Sequence, residues 1–221
     1  MFDAPKDRFL RLCPGGFSDP QYLRLERNYK WAAHERWVEL LNEEEFCRLL
    51  DAEQHQEIAK RAMQVEAKTK FLLSRFEKSA LHDAVKAEAP AKLFAHGLYD
   101  LVYGGETFET RFTEFIRDLG SLPEHQTSPL KWTIATIFPF VALPKKHIFL
   151  KPTVTKKAAK QRRFSLNYKP QLNWLTYSRF LEFADLLSKE VADLEPRDMI
   201  DIQSYIWVTE FWKKTPSSDS D

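Results

Sequence analysis

Hydrophobic positions recur at three- and four-residue spacings through a stretch from Gln21 to Ala89 that holds neither Gly nor Pro. The spacing of Trp31, His34, Trp37, Val38 and Leu41 predicts one helix face, and Phe46, Leu49, Leu50, Ile58, Met63 and Val65 continue it. Ala, Glu, Lys, Leu, Arg and Gln dominate the run, and these are good helix formers. It is too long for a single globular helix, so it must break. Asn42 is suited to cap a new helix, with Glu43 and Glu44 against its dipole and Glu45 placed for a capping box. A second break is expected between Thr69 and Ser79. The run either wraps the rest of the core or projects as an arm that dimerises.

Further on, Pro90 opens a helix over Ala91 to Tyr103, Gly104-Gly105 turns the chain, and Thr107 caps Phe108 to Leu119 with Gly120 as its stop. Leu130 to Val141 is strongly apolar. His147 to Leu150 and the alternating Phe164 to Tyr168 read as two short strands of one hairpin, flanking a basic helix capped by Thr153 or Thr155. Asn173 or Thr176 starts a helix to Leu194, and Pro196 or Asp198 opens a last one to about Trp212. The fold class expected is mainly α, with at most that hairpin in the C-terminal half. Its organisation reads as an irregular N-terminal arm (1–20), a helical region (21–120), a basic and aromatic C-terminal region packed on it (121–212) and a disordered tail (213–221).

Composition narrows this little. The chain has 221 residues, 43% of them hydrophobic, enough for a real core, and only 6 glycines, few for a turn-rich β fold. No apolar run approaches the roughly 20 residues of a membrane span, so no membrane partner is expected. The N-terminus lacks the apolar core of a signal peptide, and the two cysteines, Cys13 and Cys47, lie far apart without a CxxC pair. A cytoplasmic protein with reduced thiols is the expectation.

Charge changes the picture more. The net charge is only +1, yet no Asp or Glu occurs between His125 and Leu181, where eleven Lys and Arg alternate with aromatic rings. Basic groups beside flat rings suit a polyanion: phosphates supply affinity and rings stack on bases. The candidate nucleic-acid-binding set is Lys145, Lys146, Lys151, Lys156, Lys157, Lys160, Arg162 and Arg163, with three of the lysines on neighbouring helical positions. The competing reading is a basic surface that balances the acidic segment from Glu35 to Glu57.

Other constellations fall short of a catalytic site. His34-Glu35 matches the start of HExxH, but Val38 stands at the second ligand position, and no other histidine has metal-ligand spacing. Pro14-Gly15-Gly16 lacks the Gly-Lys-Ser/Thr that closes a phosphate loop. Asp198 and Asp201 share a helix face and suit a metal-dependent nuclease, but they also suit an N-cap and a first-turn carboxylate. No cofactor is called for.

From His147 the chain reads HIFLKPTVTKKAA, then LNWLTYSRFLEFADLL, then LEPRDMIDIQSYIWV. This portion resembles an uncharacterised family of bacterial proteins that pair a Phe-Leu-Lys-Pro segment, here Phe149 to Pro152, with a closing helix of the Arg197 to Val208 type. Tyr205 departs from the Phe of that pattern. The closing segment also resembles parts of restriction and defence-associated proteins, which implies DNA as a partner. The resemblance covers roughly the last 75 residues and carries no catalytic motif. Two functions follow as expectations: a nucleic-acid-binding accessory protein for DNA or RNA without its own catalytic centre, or a structural module whose helical half recruits a protein or a second copy.

Overall fold

The computed structural model describes residues 4–212, and among them the chain is helical with no strand. The tail expectation for 213–221 lies outside the described residues.

The organising element is α9 (Trp132–Ala142), buried along its whole length. Its residues are apolar on every side, as a helix enclosed on all faces requires. Its few polar groups are satisfied internally: Thr136 Oγ1 donates to the Trp132 carbonyl at 2.7 Å and accepts from Leu150 N–H at 3.0 Å. Around it pack α3 (Asn28–Leu41), α5 (His55–Lys68), α7 (Glu88–Tyr103) and α8 (Phe108–Ser121). Trp37 and Phe94 bring their rings to 6.3 and 5.7 Å from Phe138. The long Gly- and Pro-free run therefore wraps the core. One continuous buried cluster extends from Phe9 to Val208.

The expected break at Asn42 is present: its side chain accepts from Glu45 N–H and starts α4 (Glu43–Asp51). The break near Thr69–Ser79 is also present, and Ser74 with Glu77 forms a full capping box on α6 (Arg75–Ala84). A further break at Ala52–Gln54 has no Gly or Pro to announce it; Glu53 itself takes the left-handed conformation, at φ 52°.

Several expectations are corrected. The N-terminal arm is not irregular: Pro5 begins α1 (Pro5–Leu12), Asp19 caps the short α2 (Pro20–Tyr22), and Phe9 is fully buried against Phe17, Tyr22 and Tyr205. α7 starts at Glu88, with Pro90 inside its first turn, and α8 runs through Gly120. The hairpin does not form. Residues 147–150 are buried, but two of their backbone groups bond side chains and not a second strand: Leu150 N–H bonds Thr136, and the Ile148 carbonyl accepts from Tyr177 Oη at 3.3 Å. In the other supposed strand Asn167 takes a positive φ of 47°, which breaks the pleat.

Three helices complete the C-terminal half. α10 (Pro152–Gln161) starts at Pro152, three residues before Thr155, because Pro is favoured in a first turn. α11 (Trp174–Glu190) is capped by Asn173, whose side chain accepts from Thr176 N–H. α12 (Met199–Phe211) is capped by Asp198 and nearly enclosed, with Ile202 and Ile206 only 1% and 3% exposed, as expected.

Candidate nucleic-acid interface

α10 turns Val154, Thr155, Ala158 and Ala159 inward, which leaves Lys156, Lys157 and Lys160 on its outer side. The eight candidate basic residues then divide. Lys157 Nζ donates to the Glu210 carbonyl at 3.0 Å and meets its carboxylate at 3.2 Å. Arg162 forms two bonds to Glu190, at 2.7 and 2.9 Å, and reaches Tyr205 Oη at 3.3 Å. Burial opposes the Arg162 charge, yet Glu190 and Tyr205 hold the guanidinium more firmly protonated than usual. Lys151 Nζ is turned to the Leu72 carbonyl at 2.9 Å. These three are structural.

Lys145 and Lys146 are exposed, but on another part of the surface. Met199 N–H donates to the Pro144 carbonyl at 2.8 Å, which seats their turn at the start of α12, whereas Lys157 meets its end. About 16 Å of helix axis separates the two places. Lys156, Lys160 and Arg163 remain exposed together at the outer side and end of α10.

What gathers around them was only half legible. The Lys156 ammonium sits 4.7 Å over the Tyr168 ring. Tyr168 lines a pocket with a volume of about 220 Å³, together with Lys131, Trp132, Thr133 and Glu77. Trp132 Nε1 donates to the Lys169 carbonyl at 3.0 Å, which fixes Lys169 at the same rim. Glu77 is the one carboxylate in this wall, and it is occupied by Thr133 Oγ1 and by Ser74 N–H. Burial raises its proton affinity, but those bonds and the nearby Lys151 charge outweigh it and keep the carboxyl ionised. Lys131, Lys169 and Tyr168 belong to the acid-free stretch but stand outside the 145–163 window. The absence of carboxylates over the full stretch from 125 to 181 was the signal that marked them.

Asp198 and Asp201 do share a place, and it is an interior one. Asp198 accepts from Ile200 and Asp201 N–H as the cap of α12 and from Arg27 at 2.8 and 2.9 Å. Asp201 is fully buried, bound by Arg197 Nε at 2.8 Å, Arg27 at 2.9 Å and Tyr22 Oη at 2.6 Å. Burial alone would raise its pKa, but the Arg197 and Tyr22 hydrogen bonds and the Arg27 charge hold it below the usual carboxylate value. Both carboxylates are thus consumed by arginines. Among the described residues no group of His, Cys, Asp and Glu is arranged to hold a metal ion. No described helix is long and apolar enough to cross a membrane.

No family model, curated protein or solved structure matches the chain.

Proposed function

We propose that the chain binds nucleic acid through the lysine rim around Tyr168, with Lys131, Lys156, Lys160, Lys169 and Arg163 as phosphate contacts and the Tyr168 ring as a stacking platform. The observation that carries this reading is the Lys156 ammonium lying over the Tyr168 ring at the mouth of an open pocket. In the complex, Lys156 moves from the ring to a phosphate and a base takes its place. Stacking on a side chain needs an unpaired base, so a single strand is favoured over a duplex. The resemblance of the closing segment to restriction and defence-associated proteins agrees with DNA as the polymer. No catalytic role is assigned.

The alternative is an interaction module whose basic stretch balances acidic charge; no ion pair joins it to the Glu35 to Glu57 segment among the described residues, but two of its members are balanced elsewhere. Lys157 and Arg162 pair with Glu210 and Glu190. A fluorescence-anisotropy titration separates the readings. Tyr168→Ala is expected to weaken single-strand binding by about 1–3 kcal/mol, while Tyr168→Phe retains it. Equal affinity of all three proteins, or no binding by any, leaves the interaction module as the reading.

A further inference from the structure

Where α5 ends and α6 begins, two phenylalanines stand in water. Phe71 is 80% exposed and Phe76 67%, while Leu72 and Leu73 between them are buried. A large ring that gains no packing is informative, because burial is the usual state of phenylalanine. The loop that presents them is held on both sides. Leu72 and Leu73 anchor it in the core, Thr69 Oγ1 donates to the Glu66 carbonyl at 2.7 Å, and Ser74 with Glu77 closes the start of α6. Lys70 takes a positive φ of 55°, a conformation that persists for a residue with a side chain only where the surroundings impose it.

Its charge is of one sign. From Ala67 to Phe76 the chain has no Asp or Glu, but it has Lys68, Lys70 and Arg75. All three are exposed, and among the described residues none is paired with a carboxylate. The two acids that border the loop are occupied, Glu66 by Lys78 at 3.1 Å and Glu77 by Thr133 and Ser74. The Arg75 guanidinium lies 5.6 Å over the Phe76 ring, which repeats the arrangement of Lys156 over Tyr168. The loop also adjoins the Tyr168 rim at two points. Phe76 precedes Glu77, which stands in the wall of the Tyr168 pocket. Phe71 shares a second hollow, of about 120 Å³, with Lys151, whose chain neighbour Pro152 lines the Tyr168 pocket.

We propose that this loop extends the single-strand site, with Phe71 and Phe76 as further stacking platforms and Lys68, Lys70 and Arg75 as phosphate contacts. The inference rests on the binding reading given above and adds a second contact region to it. Unpaired bases stack on flat rings, and their phosphates need cations close by; the loop offers both without a competing acid. Exposed rings beside cations also suit an anionic lipid surface. Continuity with the recessed Tyr168 rim favours the strand, which can follow a bent path where a flat surface cannot.

Anisotropy titrations of the full chain with single-stranded oligonucleotides of about 4 and about 12 nucleotides, a short and a long single-strand site, test this. Phe71→Ala with Phe76→Ala is expected to weaken the longer oligonucleotide about tenfold or more, and to leave the shorter one, held at Tyr168, largely unchanged. Both positions are exposed, so the melting temperature is expected to stay that of the parent. Tyrosine at both positions is expected to retain the affinity and leucine to lose it, because leucine keeps the apolar bulk without a ring face. Unaltered affinity for the longer oligonucleotide in the double alanine variant, while Tyr168→Ala weakens it, overturns this inference and leaves the Tyr168 reading standing. No binding of either length by the unaltered chain overturns both. Full affinity of the leucine variant, or phenylalanine-dependent binding to phosphatidylserine vesicles in place of the oligonucleotide, assigns the loop to an apolar or lipid contact and overturns the proposal.

Discussion

The charges beneath α12 and those on the outer side of α10 are the same kinds of side chain put to opposite uses. Under α12, Arg27, Arg197, Asp198 and Asp201 are locked together with Tyr22, and Lys30 with Glu26 and Ser204. All of these but Arg197, whose side chain is 41% exposed, were taken from water at a penalty that their partners offset, so none of the enclosed groups can be removed alone. On α10, Lys156 and Lys160 face solvent, and among the described residues neither has a carboxylate partner. The difference teaches that a charged residue in this chain is structural where it is enclosed by partners and available for binding where it is not. Position in the sequence does not decide it: Lys156 and Lys157 are neighbours, yet only Lys157 is tied to Glu210.

The sharpest way to break this contrast is Asp201→Ala. It leaves Tyr22 Oη without its acceptor and the buried Arg27 with Asp198 as its remaining carboxylate, and a loss of about 3 kcal/mol or more is expected in urea unfolding. A loss below about 1 kcal/mol would place the cluster with ordinary surface pairs. The pH dependence carries the same signature. The Asp201 carboxyl is depressed in the folded state, so between its folded and unfolded values the unfolded chain binds more protons. Its contribution is therefore complete above about pH 4 and is lost as the pH falls through the folded value. The stability gap between the protein and its Asp201→Asn variant should shrink over that acid range.

Ile206, on the same helix, supplies an apolar reference for the charged cluster. Ile206→Ala is expected to destabilise by about 2–4 kcal/mol through lost burial and a cavity. An unchanged melting temperature would contradict the enclosure of α12.

His147 tests the opposite case, a buried polar group without partners. It stacks at 3.8 Å on Phe108, and its Nδ1 is unbonded. Burial, with the Arg111 and Lys146 charges, pushes its pKa down to about 3. The unfolded chain then binds the extra proton from about pH 6.5 downward, so this residue lowers stability progressively as the pH falls. His147→Phe is expected to match or exceed the parent at pH 7 and to gain on it by about 1–2 kcal/mol near pH 5. Unfolding curves at the two pH values check this. The smallest effect belongs to α10: Lys156→Glu with Lys160→Glu is expected to change stability by about 0.5 kcal/mol or less.

The helical architecture was legible because its signals are local. The Asn42, Thr107, Asn173 and Asp198 caps all act within three residues of themselves. The hairpin misled because a short apolar run such as Ile148 to Leu150 has the same composition whether its backbone pairs with a strand or with the Thr136 and Tyr177 side chains. The same limit governs the site. The acid-free stretch announced a basic region, but which lysines are free depends on Glu190 and Glu210, far along the chain. Nothing local marks Asp201 as interior, since its partners Tyr22 and Arg27 lie 179 and 174 residues away.

The central claim is tested most directly by the salt dependence of binding to a single-stranded oligonucleotide. The logarithm of the binding constant is measured against the logarithm of salt concentration for the protein and for the triple variant Lys131→Glu, Lys156→Glu and Lys169→Glu. Each phosphate contact contributes about 0.7 to the slope on a single strand, so the account predicts a slope flatter by about 2 with the fold intact. Equal slopes for the two proteins, or no binding by the unaltered chain at low salt, would contradict it.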